Sequence, residues 1–365
     1  MSFVKALLED IEQKVWDIEG FLDKLREEEI VVWGTGLAGV MICEALEHLD
    51  ISISFFADNN REKVGSVLCN RTVLGMESIP KRAFIIIAAN VKYEIHKQLK
   101  IAFLDRYIYI DPLWLYCYKK NNVFSMLKEN ADAIDSVYNM LSCEISKNVY
   151  RKVLLHRAIH DIRLIWEIYD EHQYFGNDIV KEAYGNFVDC GAFQGDTLIS
   201  FLKQSKGKYN YFALEADKEN YDILKKICIE KELVSVVPIN IGVWDKKGQL
   251  YFQSSKTTGE VSGKIVESSN EERVIVNVDS LDSILQGEKI DFIKMDIEGA
   301  EIKALQGARN CIKENVPILA ISAYHELEHL WEVPLLIKEI NKDYDIYFRH
   351  HMWNMADTVC YALSK

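Results

Sequence analysis

The chain has 365 residues, 49% of them hydrophobic, which is enough for a sizeable core divided between two domains or one domain with an appendage. Its formal net charge of −13 at pH 7 argues against a nucleic-acid partner, because a surface that binds phosphates needs a basic patch. The eight cysteines form no C-x-x-C pair, which argues against a structural zinc site and a disulfide framework and fits a reducing cytoplasm.

Residues 2–29 are predicted to form an amphipathic helix. Their apolar side chains recur at helical spacing, and charged residues are distributed along the whole segment. A signal peptide or a membrane span requires a continuous apolar run, which this segment does not have. We therefore expect neither a leader peptide nor a membrane span here.

Residues 1–116 are assigned to this helix and a small Rossmann-like α/β domain. An apolar run at residues 30–33 leads into a glycine-rich turn, and an acidic residue follows the next apolar run about 20 residues further on. The residues that match a dinucleotide fingerprint are Gly34, Gly36, Gly39 and Asp58. Because the strand pattern stops after Ile110, only one mononucleotide half is present. A nucleotide or nucleotide-sugar site and a packing module without a ligand both remain open.

Residues 117–185 form a helical linker in this prediction, which would bridge the domains and cover a cleft. Residues 186–365 are predicted to form a second α/β domain. Its first apolar strand leads into a glycine-rich turn with the pattern D-x-G-x-x-x-G, at Asp189, Gly191 and Gly195. A carboxylate before the first glycine suits a ligand with an ammonium and a sulfonium, and suits a pyrophosphate poorly. Glu215 ends the next strand, where a carboxylate accepts both ribose hydroxyls of an adenosine.

A second group of polar residues lies where two later strands end. Strand alternation places Lys294, Asp296 and Glu298 on one face at the carboxyl edge of the sheet, where ligands bind in open α/β folds. The following strand ends beside His325, which is the first candidate for a catalytic base, with Asp296 or Glu298 second. Lys294 would hold or polarise the acceptor. An internal ion-pair network is the alternative, and the spacing of the acids predicts no metal.

Residues 346–351 and 358–363 are predicted to form a terminal hairpin, which is typical of methyltransferases and unusual for NAD folds. Four segments in this order resemble the FkbM family of methyltransferases: Val188 to Thr197, Ile293 to Glu301, Ala323-Tyr324-His325 and Arg349-His350-His351. The resemblance covers residues 174–363. It implies a class I methyltransferase sheet, with seven strands and a reversed last strand, and S-adenosylmethionine as cofactor.

By this resemblance, the cofactor contacts one glycine-rich loop and two residues that follow neighbouring strands. The residues so implied are Asp189, Gly191, Ala192, Phe193, Gly195, Asp196, Thr197, Glu215 and Asn240. Family members are associated with O-methylation of sugar or polyketide hydroxyls in glycan or natural-product pathways.

The predicted function is therefore O-methylation of a hydroxyl on a sugar, nucleotide-sugar or glycan-like substrate, by direct attack of the acceptor oxygen on the methyl group. Two alternatives remain open. One is an NAD-dependent sugar-modifying oxidoreductase that uses the N-terminal fingerprint, against which Asp189 and the hairpin count. The other is a non-catalytic nucleotide-binding protein, against which the acids Asp296 and Glu298 count.

Overall fold

The computed structural model describes residues 2–88, 92–102, 106–110, 122–159, 161–205, 207–253, 264–266, 274–353 and 355–364. Within these ranges, no helix has the length and apolar character needed to cross a membrane. The chain divides into two compact units. Unit 1 comprises Met1–Ala131, Arg151–Ile168 and Trp353–Met355, and unit 2 comprises Asp132–Tyr150, Tyr169–Met352 and Ala356–Lys365. The predicted boundary between residues 116 and 117 lies outside the described residues.

The strands and helices of the described residues follow one another in an α/β order. The strands are β1 (Ile30–Trp33), β2 (Phe55–Ala57), β3 (Val67–Leu68), β4 (Arg71–Leu74), β5 (Phe84–Ile87), β6 (Tyr107–Tyr109), β7 (Phe187–Cys190), β8 (Tyr211–Leu214), β9 (Val236–Ile239), β10 (Gly242–Val243), β11 (Gly248–Gln253), β12 (Lys264–Val266), β13 (Val274–Asp279), β14 (Phe292–Met295), β15 (Ile318–Ser322), β16 (Tyr344–His350) and β17 (Thr358–Ser364). The helices are α1 (Phe3–Leu25), α2 (Leu37–Glu47), α3 (Lys92–Ile101), α4 (Val123–Glu129), α5 (Ala131–Met140), α6 (Glu144–Ile159), α7 (Arg163–Trp166), α8 (Asp196–Gln204), α9 (Lys218–Glu230), α10 (Leu281–Ile284), α11 (Glu301–Gln306), α12 (Arg309–Asn315) and α13 (His329–Ile340), with a short 3₁₀ turn at Met76–Ser78.

Unit 1 is built on a sheet with the strand order β3-β4-β2-β1-β5-β6. The strands are parallel except that β3 runs antiparallel to β4. Every residue of β1 is buried, as expected for a central parallel strand whose two faces are both covered. The predicted amphipathic helix is confirmed as α1, which begins after Ser2, whose hydroxyl accepts a hydrogen bond from the Lys5 backbone N–H.

Unit 2 contains a seven-stranded sheet with the order β16-β17-β15-β14-β7-β8-β9. The strands from β15 to β9 are parallel, whereas β17 runs antiparallel to both β15 and β16. A smaller sheet in the same unit has the order β10-β13-β11-β12. The predicted α/β fold class is confirmed.

The core of unit 2 fixes which strand ends meet. Phe187 of β7 stacks on Tyr211 of β8 and on Phe292 of β14, with ring centroids 4.9 and 4.7 Å apart. Such aromatic contacts bury large apolar areas and hold neighbouring strands together. Because β8, β7, β14 and β15 are adjacent and parallel, their carboxyl ends all lie at one edge of the sheet, where the predicted site residues follow.

Candidate active site

A buried ion pair lies beneath the start of the predicted cofactor loop. Lys294 of β14 and Asp189 of β7 are direct neighbours in register, and the Lys294 Nζ atom lies 2.9 Å from Asp189 Oδ1. Their side chains are 4% and 0% exposed. The Tyr211 hydroxyl donates to Asp189 Oδ2 at 2.6 Å, and Lys294 Nζ donates to the Gly191 carbonyl at 2.8 Å. Asp189, predicted to face the cofactor, therefore has its partners inside the fold.

Electrostatics keep this lysine charged despite its burial. Burial by itself lowers the pKa of Lys294, but the carboxylates of Asp189 and Asp296 outweigh that effect and raise the pKa above its usual value. A buried ammonium is stable only with such matched partners. The two contacts of Lys294 come from β7 and from the loop that follows it, and the Asp296 carboxylate acts on its charge from the end of β14.

The glycine loop, defined here as residues 191–197, connects β7 to α8. Gly191 and Gly195 have φ angles of +81° and +94°, and Phe193 has a φ of +46°, so the loop uses the left-handed region that glycine tolerates best. The Gly191 and Ala192 backbone N–H groups both donate to the Leu214 carbonyl at 3.0 Å, which attaches the loop to the end of β8. Gly195 is the N-cap of α8 and has no side chain to cap its first turn.

Two predicted cofactor residues follow the neighbouring strands β8 and β9, and one of them contacts the glycine loop. Glu215, 8% exposed, accepts from the Phe193 backbone N–H through Oε2 and from the Asp217 N–H through Oε1, both at 2.8 Å. Burial raises the pKa of Glu215 to about 7. Asn240 Nδ2 donates to the Glu215 carbonyl at 2.8 Å. The structure thus brings Glu215 and Asn240 together at one side of the loop.

The remaining predicted cofactor residues divide by exposure. Phe193 is 38% exposed and Asp196 lies exposed in the first turn of α8. Ala192 and Thr197 are buried, and Ala192 belongs to the core of unit 2. Exposed residues of the loop are available to a ligand, whereas the buried ones support its backbone.

The predicted catalytic residues Asp296, Glu298 and His325 lie together at the ends of β14 and β15. His325 Nε2 is 3.2 Å from Glu298 Oε2 and 3.5 Å from Asp296 Oδ1. Asp296 also accepts hydrogen bonds from the Tyr324 hydroxyl at 3.1 Å and the Tyr174 hydroxyl at 3.3 Å. Lys294 points away from this group, toward Asp189 and the Gly191 carbonyl.

A further carboxylate, Glu301, lies on the opposite side of the His325 ring. His325 Nδ1 is 2.9 Å from Glu301 Oε1, and His329 Nδ1 is 3.4 Å from Glu301 Oε2. Glu301 is fully buried. We call Asp296, Glu298, Glu301 and His325 the acid–histidine cluster.

The acid–histidine cluster changes what His325 can do. Burial alone would lower the pKa of His325, but the carboxylates of Glu298, Glu301 and Asp296 raise it to about 10. The imidazole is therefore protonated near pH 7 and lacks the lone pair that a base needs. Although burial opposes it, the charges of Lys294 and His325 hold the pKa of Asp296 below its usual range. Asp296 is therefore ionised, and its Oδ1 atom lies 3.5 Å from His325 Nε2.

Sequence reasoning missed several side chains of this region. Tyr174 and Tyr324 donate to Asp296, Tyr211 donates to Asp189, and Glu301 faces His325. Burial and the Asp296 carboxylate also raise the pKa of Asp357 to about 6. Tyr324 precedes His325 in the chain, which was the one available signal. The other contacts join segments that are distant in sequence and follow no spacing rule.

The ligand atoms of Asp296, Glu301 and His325 lie within 4.8 Å of one another, a spacing that suits a metal ion. Each carboxylate already accepts two hydrogen bonds, Asp296 from two tyrosines and Glu301 from the backbone N–H groups of Ile297 and Gly299. These donors compensate the negative charge without a cation. The expectation of no metal stays a prediction.

The Arg349-His350-His351 segment makes internal contacts. Arg349 donates to both Asp178 oxygens, at 2.9 and 2.6 Å. His351 Nδ1 lies 2.9 Å from the Asp170 carbonyl oxygen, and His351 Nε2 lies 2.8 Å from the Tyr361 hydroxyl. This segment therefore holds the terminal hairpin against residues 170–178.

The N-terminal glycine turn in unit 1 closes on its own residues. An added Cβ at Gly39 would lie 1.9 Å from the Gly34 carbonyl oxygen, so the turn requires a glycine there. Asp58 Oδ2 accepts hydrogen bonds from the Thr35 backbone N–H at 3.3 Å and from the Thr35 hydroxyl. Lys63 Nζ is 3.5 Å from the same oxygen. A second nucleotide site at Gly34, Gly36, Gly39 and Asp58 stays a prediction.

Residues 189–351 match the family model described as the methyltransferase FkbM domain, and the resemblance inferred from the motifs is confirmed over this range. The crystal structure of methyltransferase FkbM from Methylobacillus flagellatus KT is similar over 92% of this chain and 90% of that chain, with 20% identity and a TM-score of 0.68. This similarity shows a shared fold.

A SAM dependent methyltransferase from Aquifex aeolicus is 15% identical, covering 50% of this chain and 82% of that chain, with a TM-score of 0.30, too low to support an argument. No curated protein sequence matches the chain.

We expect Gly191→Ala to destabilise unit 2 and displace the glycine loop. The added Cβ would lie 2.0 Å from the Asp296 carbonyl oxygen, and the left-handed backbone alone costs a non-glycine residue about 1–2 kcal/mol. Thermal unfolding followed by circular dichroism measures the effect. Gly20→Ala is the control, since its Cβ meets nothing within 4 Å and alanine suits a helix. Equal midpoints for the two variants would contradict the loop conformation.

Lys294→Met should lower the free energy of unfolding by about 3–5 kcal/mol, because it leaves the Asp189 carboxylate buried without its ion partner. Urea-induced unfolding provides the measurement, and adding Asp189→Asn to the same chain should recover part of the loss. Lys303→Met is the matched control: its ammonium lies 3.4 Å from Asp245 at a half-exposed site, where pairs contribute about 1 kcal/mol or less. A loss no larger than the control's would show that the buried pair contributes little.

Proposed function

We propose that the chain is an S-adenosylmethionine-dependent methyltransferase that transfers the methyl group to a hydroxyl of a sugar, nucleotide-sugar or glycan-like acceptor. The observation that carries the proposal is that the glycine loop and the acid–histidine cluster lie at one edge of the parallel part of the seven-stranded sheet. The strand before the loop, β7, is the direct neighbour of β14, which leads into the cluster. The FkbM domain match at residues 189–351 includes both groups.

The residues of the loop fit the proposed cofactor in part. In this proposal the uncapped first turn of α8, the exposed Phe193 ring and the Glu215 carboxylate would contact the cofactor, and Asn240, which donates to the Glu215 carbonyl, would support them. When bound, S-adenosylmethionine supplies a methyl group on a positively charged sulfur. Asp189 would contribute indirectly, because its partner Lys294 also donates to the Gly191 carbonyl at the start of the loop.

The side chains at the acceptor side supply position and a proton acceptor. A hydroxyl oxygen that gains a methyl group becomes strongly acidic, so a weak base suffices to take its proton. Asp296 is our candidate, because it is ionised and two tyrosine hydroxyls orient its carboxylate. Protonated His325 then balances the charge of Asp296 and Glu298. Most of the acceleration comes from holding the hydroxyl close to the methyl group.

The charge of this edge supports a neutral acceptor. Asp296, Glu298 and Asp357 contribute carboxylates near one another, and carboxylates accept hydrogen bonds from sugar hydroxyls. A phosphate group placed against the same carboxylates would be repelled. In a nucleotide-sugar acceptor, the sugar rather than the phosphates would therefore lie here.

At pH 8, above the pKa of about 7 of Glu215, we expect Glu215→Gln to weaken S-adenosylmethionine binding by roughly 1.5–3 kcal/mol, because a charged acceptor for the ribose hydroxyls is lost while the shape is kept. Isothermal titration calorimetry measures the dissociation constant. Glu230→Gln, at an exposed position of α9 that pairs with Lys226, should bind as the unmodified chain does. An unchanged dissociation constant for Glu215→Gln in a folded protein would remove Glu215 from the cofactor site.

Asp296→Asn should lower kcat by roughly 10²–10⁴ with cofactor affinity nearly unchanged, since the proton acceptor is lost. Between pH 7.5 and 9, kcat of the unmodified chain should be flat at saturating cofactor, because the pKa of Asp296 lies below its usual range. Release of S-adenosylhomocysteine in a panel of sugars and nucleotide-sugars provides the assay, and the exposed Asp343→Asn is the control.

A different dependence of kcat on pH would assign the role of base to His325. With a pKa of about 10, a histidine base would make the rate rise about tenfold per pH unit from 7.5 to 9. If that rise is observed and disappears in His325→Gln, Asp296 is not the base.

A further inference from the structure

Glu301, the first residue of α11, is a fully buried carboxylate that the proposed reaction does not use directly. A buried charge persists only where donors compensate it. Two backbone N–H groups, of Ile297 and Gly299, donate to it at 2.9 and 3.0 Å. Two imidazole nitrogens, Nδ1 of His325 and of His329, lie 2.9 and 3.4 Å from its oxygens, within ion-pair distance.

The two backbone donors determine the turn that carries Glu298. Glu298 lies between Ile297 and Gly299 and has a φ of +56°, a conformation that a residue with a Cβ rarely adopts. Because Glu301 binds the N–H groups on both sides of Glu298, it stabilises this conformation. In this conformation, Glu298 Oε2 lies 3.2 Å from His325 Nε2.

The imidazole contact determines the orientation of His325. Glu301 approaches Nδ1, while Asp296 and Glu298 approach Nε2 from the other edge of the ring. A carboxylate at each nitrogen favours the doubly protonated ring and fixes its plane, as carboxylates do for metal-bound histidines. One buried side chain thus controls both the turn and the ring that border Asp296.

We propose that Glu301 is a positioning residue: by binding the 297–299 turn and His325 Nδ1 together, it holds His325 Nε2 and Glu298 in place beside Asp296. Its effect on turnover rests on the proposed methyl transfer, whereas its effect on His325 does not. Among the described residues, the charged or titratable groups around His325 include Asp296 at the end of β14, Glu298 in the turn, Glu301 on α11, Asp357 before β17, the Tyr324 ring with its centroid 4.0 Å away and, across Glu301, His329 on α13.

The test compares the full-length Glu301→Gln variant with the unmodified full-length protein. Histidine ring resonances, followed by NMR as a function of pH, should show a lower pKa for His325 in the variant, because one of its carboxylate partners is lost. Turnover should fall about 10–100-fold, with the dissociation constant for S-adenosylmethionine changed less than about twofold. Glu339→Gln is the control, since Glu339 pairs with Arg309 at an exposed site and should change none of these quantities.

Several outcomes would overturn the proposal. A variant that only unfolds at a lower temperature, with His325 titration and kcat unchanged, would make Glu301 purely structural. Loss of activity in EDTA with recovery in Mn²⁺ would make it a metal ligand instead. Should Glu301→Gln fail to fold, Glu301→Asp keeps the charge with a shorter reach, and unchanged turnover there would also refute positioning. A chain that binds no S-adenosylmethionine would refute the function, while the His325 titration would still test the contact.

Discussion

The pairing of Lys294 with Asp189 is the constraint on which the rest of unit 2 depends. The lysine joins β14 to β7 and to the first carbonyl of the glycine loop, and Tyr211 adds β8 through the other Asp189 oxygen. The three strands are joined by charges and hydrogen bonds that tolerate little displacement. These buried contacts therefore fix the distance between the glycine loop after β7 and Asp296 at the end of β14. The Asp296 carbonyl also leaves no room for a Cβ at Gly191, which brings the two backbones close together.

Much of this arrangement follows from local sequence pattern. Apolar runs ending in polar residues predicted the parallel strands, and the rule that ligands bind at their carboxyl ends predicted that Glu215, Asp296 and His325 gather at one edge. The internal partners of Asp189 could not be predicted in that way. Whether it faces a ligand or the core depends on the residue opposite it in the neighbouring strand, Lys294, and on Tyr211, and register between distant segments is not encoded in local spacing.

The protonation of His325 likewise depends on contacts that local sequence does not reveal. A histidine at a strand end suggests a base because its usual pKa is near neutrality. Here three carboxylates from the turn, α11 and the end of β14 shift that pKa to about 10, and one of them, Glu301, is known to be a neighbour only from the fold. The identity of a residue predicts its range of roles, whereas the set of charges around it selects one.

The reversed strand β17 has a consequence for biosynthesis. It lies between β15 and β16, so during translation the hydrogen-bonding edge of β15 remains unpaired until residues 358–364 leave the ribosome. Exposed strand edges recruit other chains, and incompletely synthesised domains are prone to such association. The edge in question belongs to the strand that leads to His325. Nascent chains therefore expose this edge of β15 until β17 is made and pairs with it.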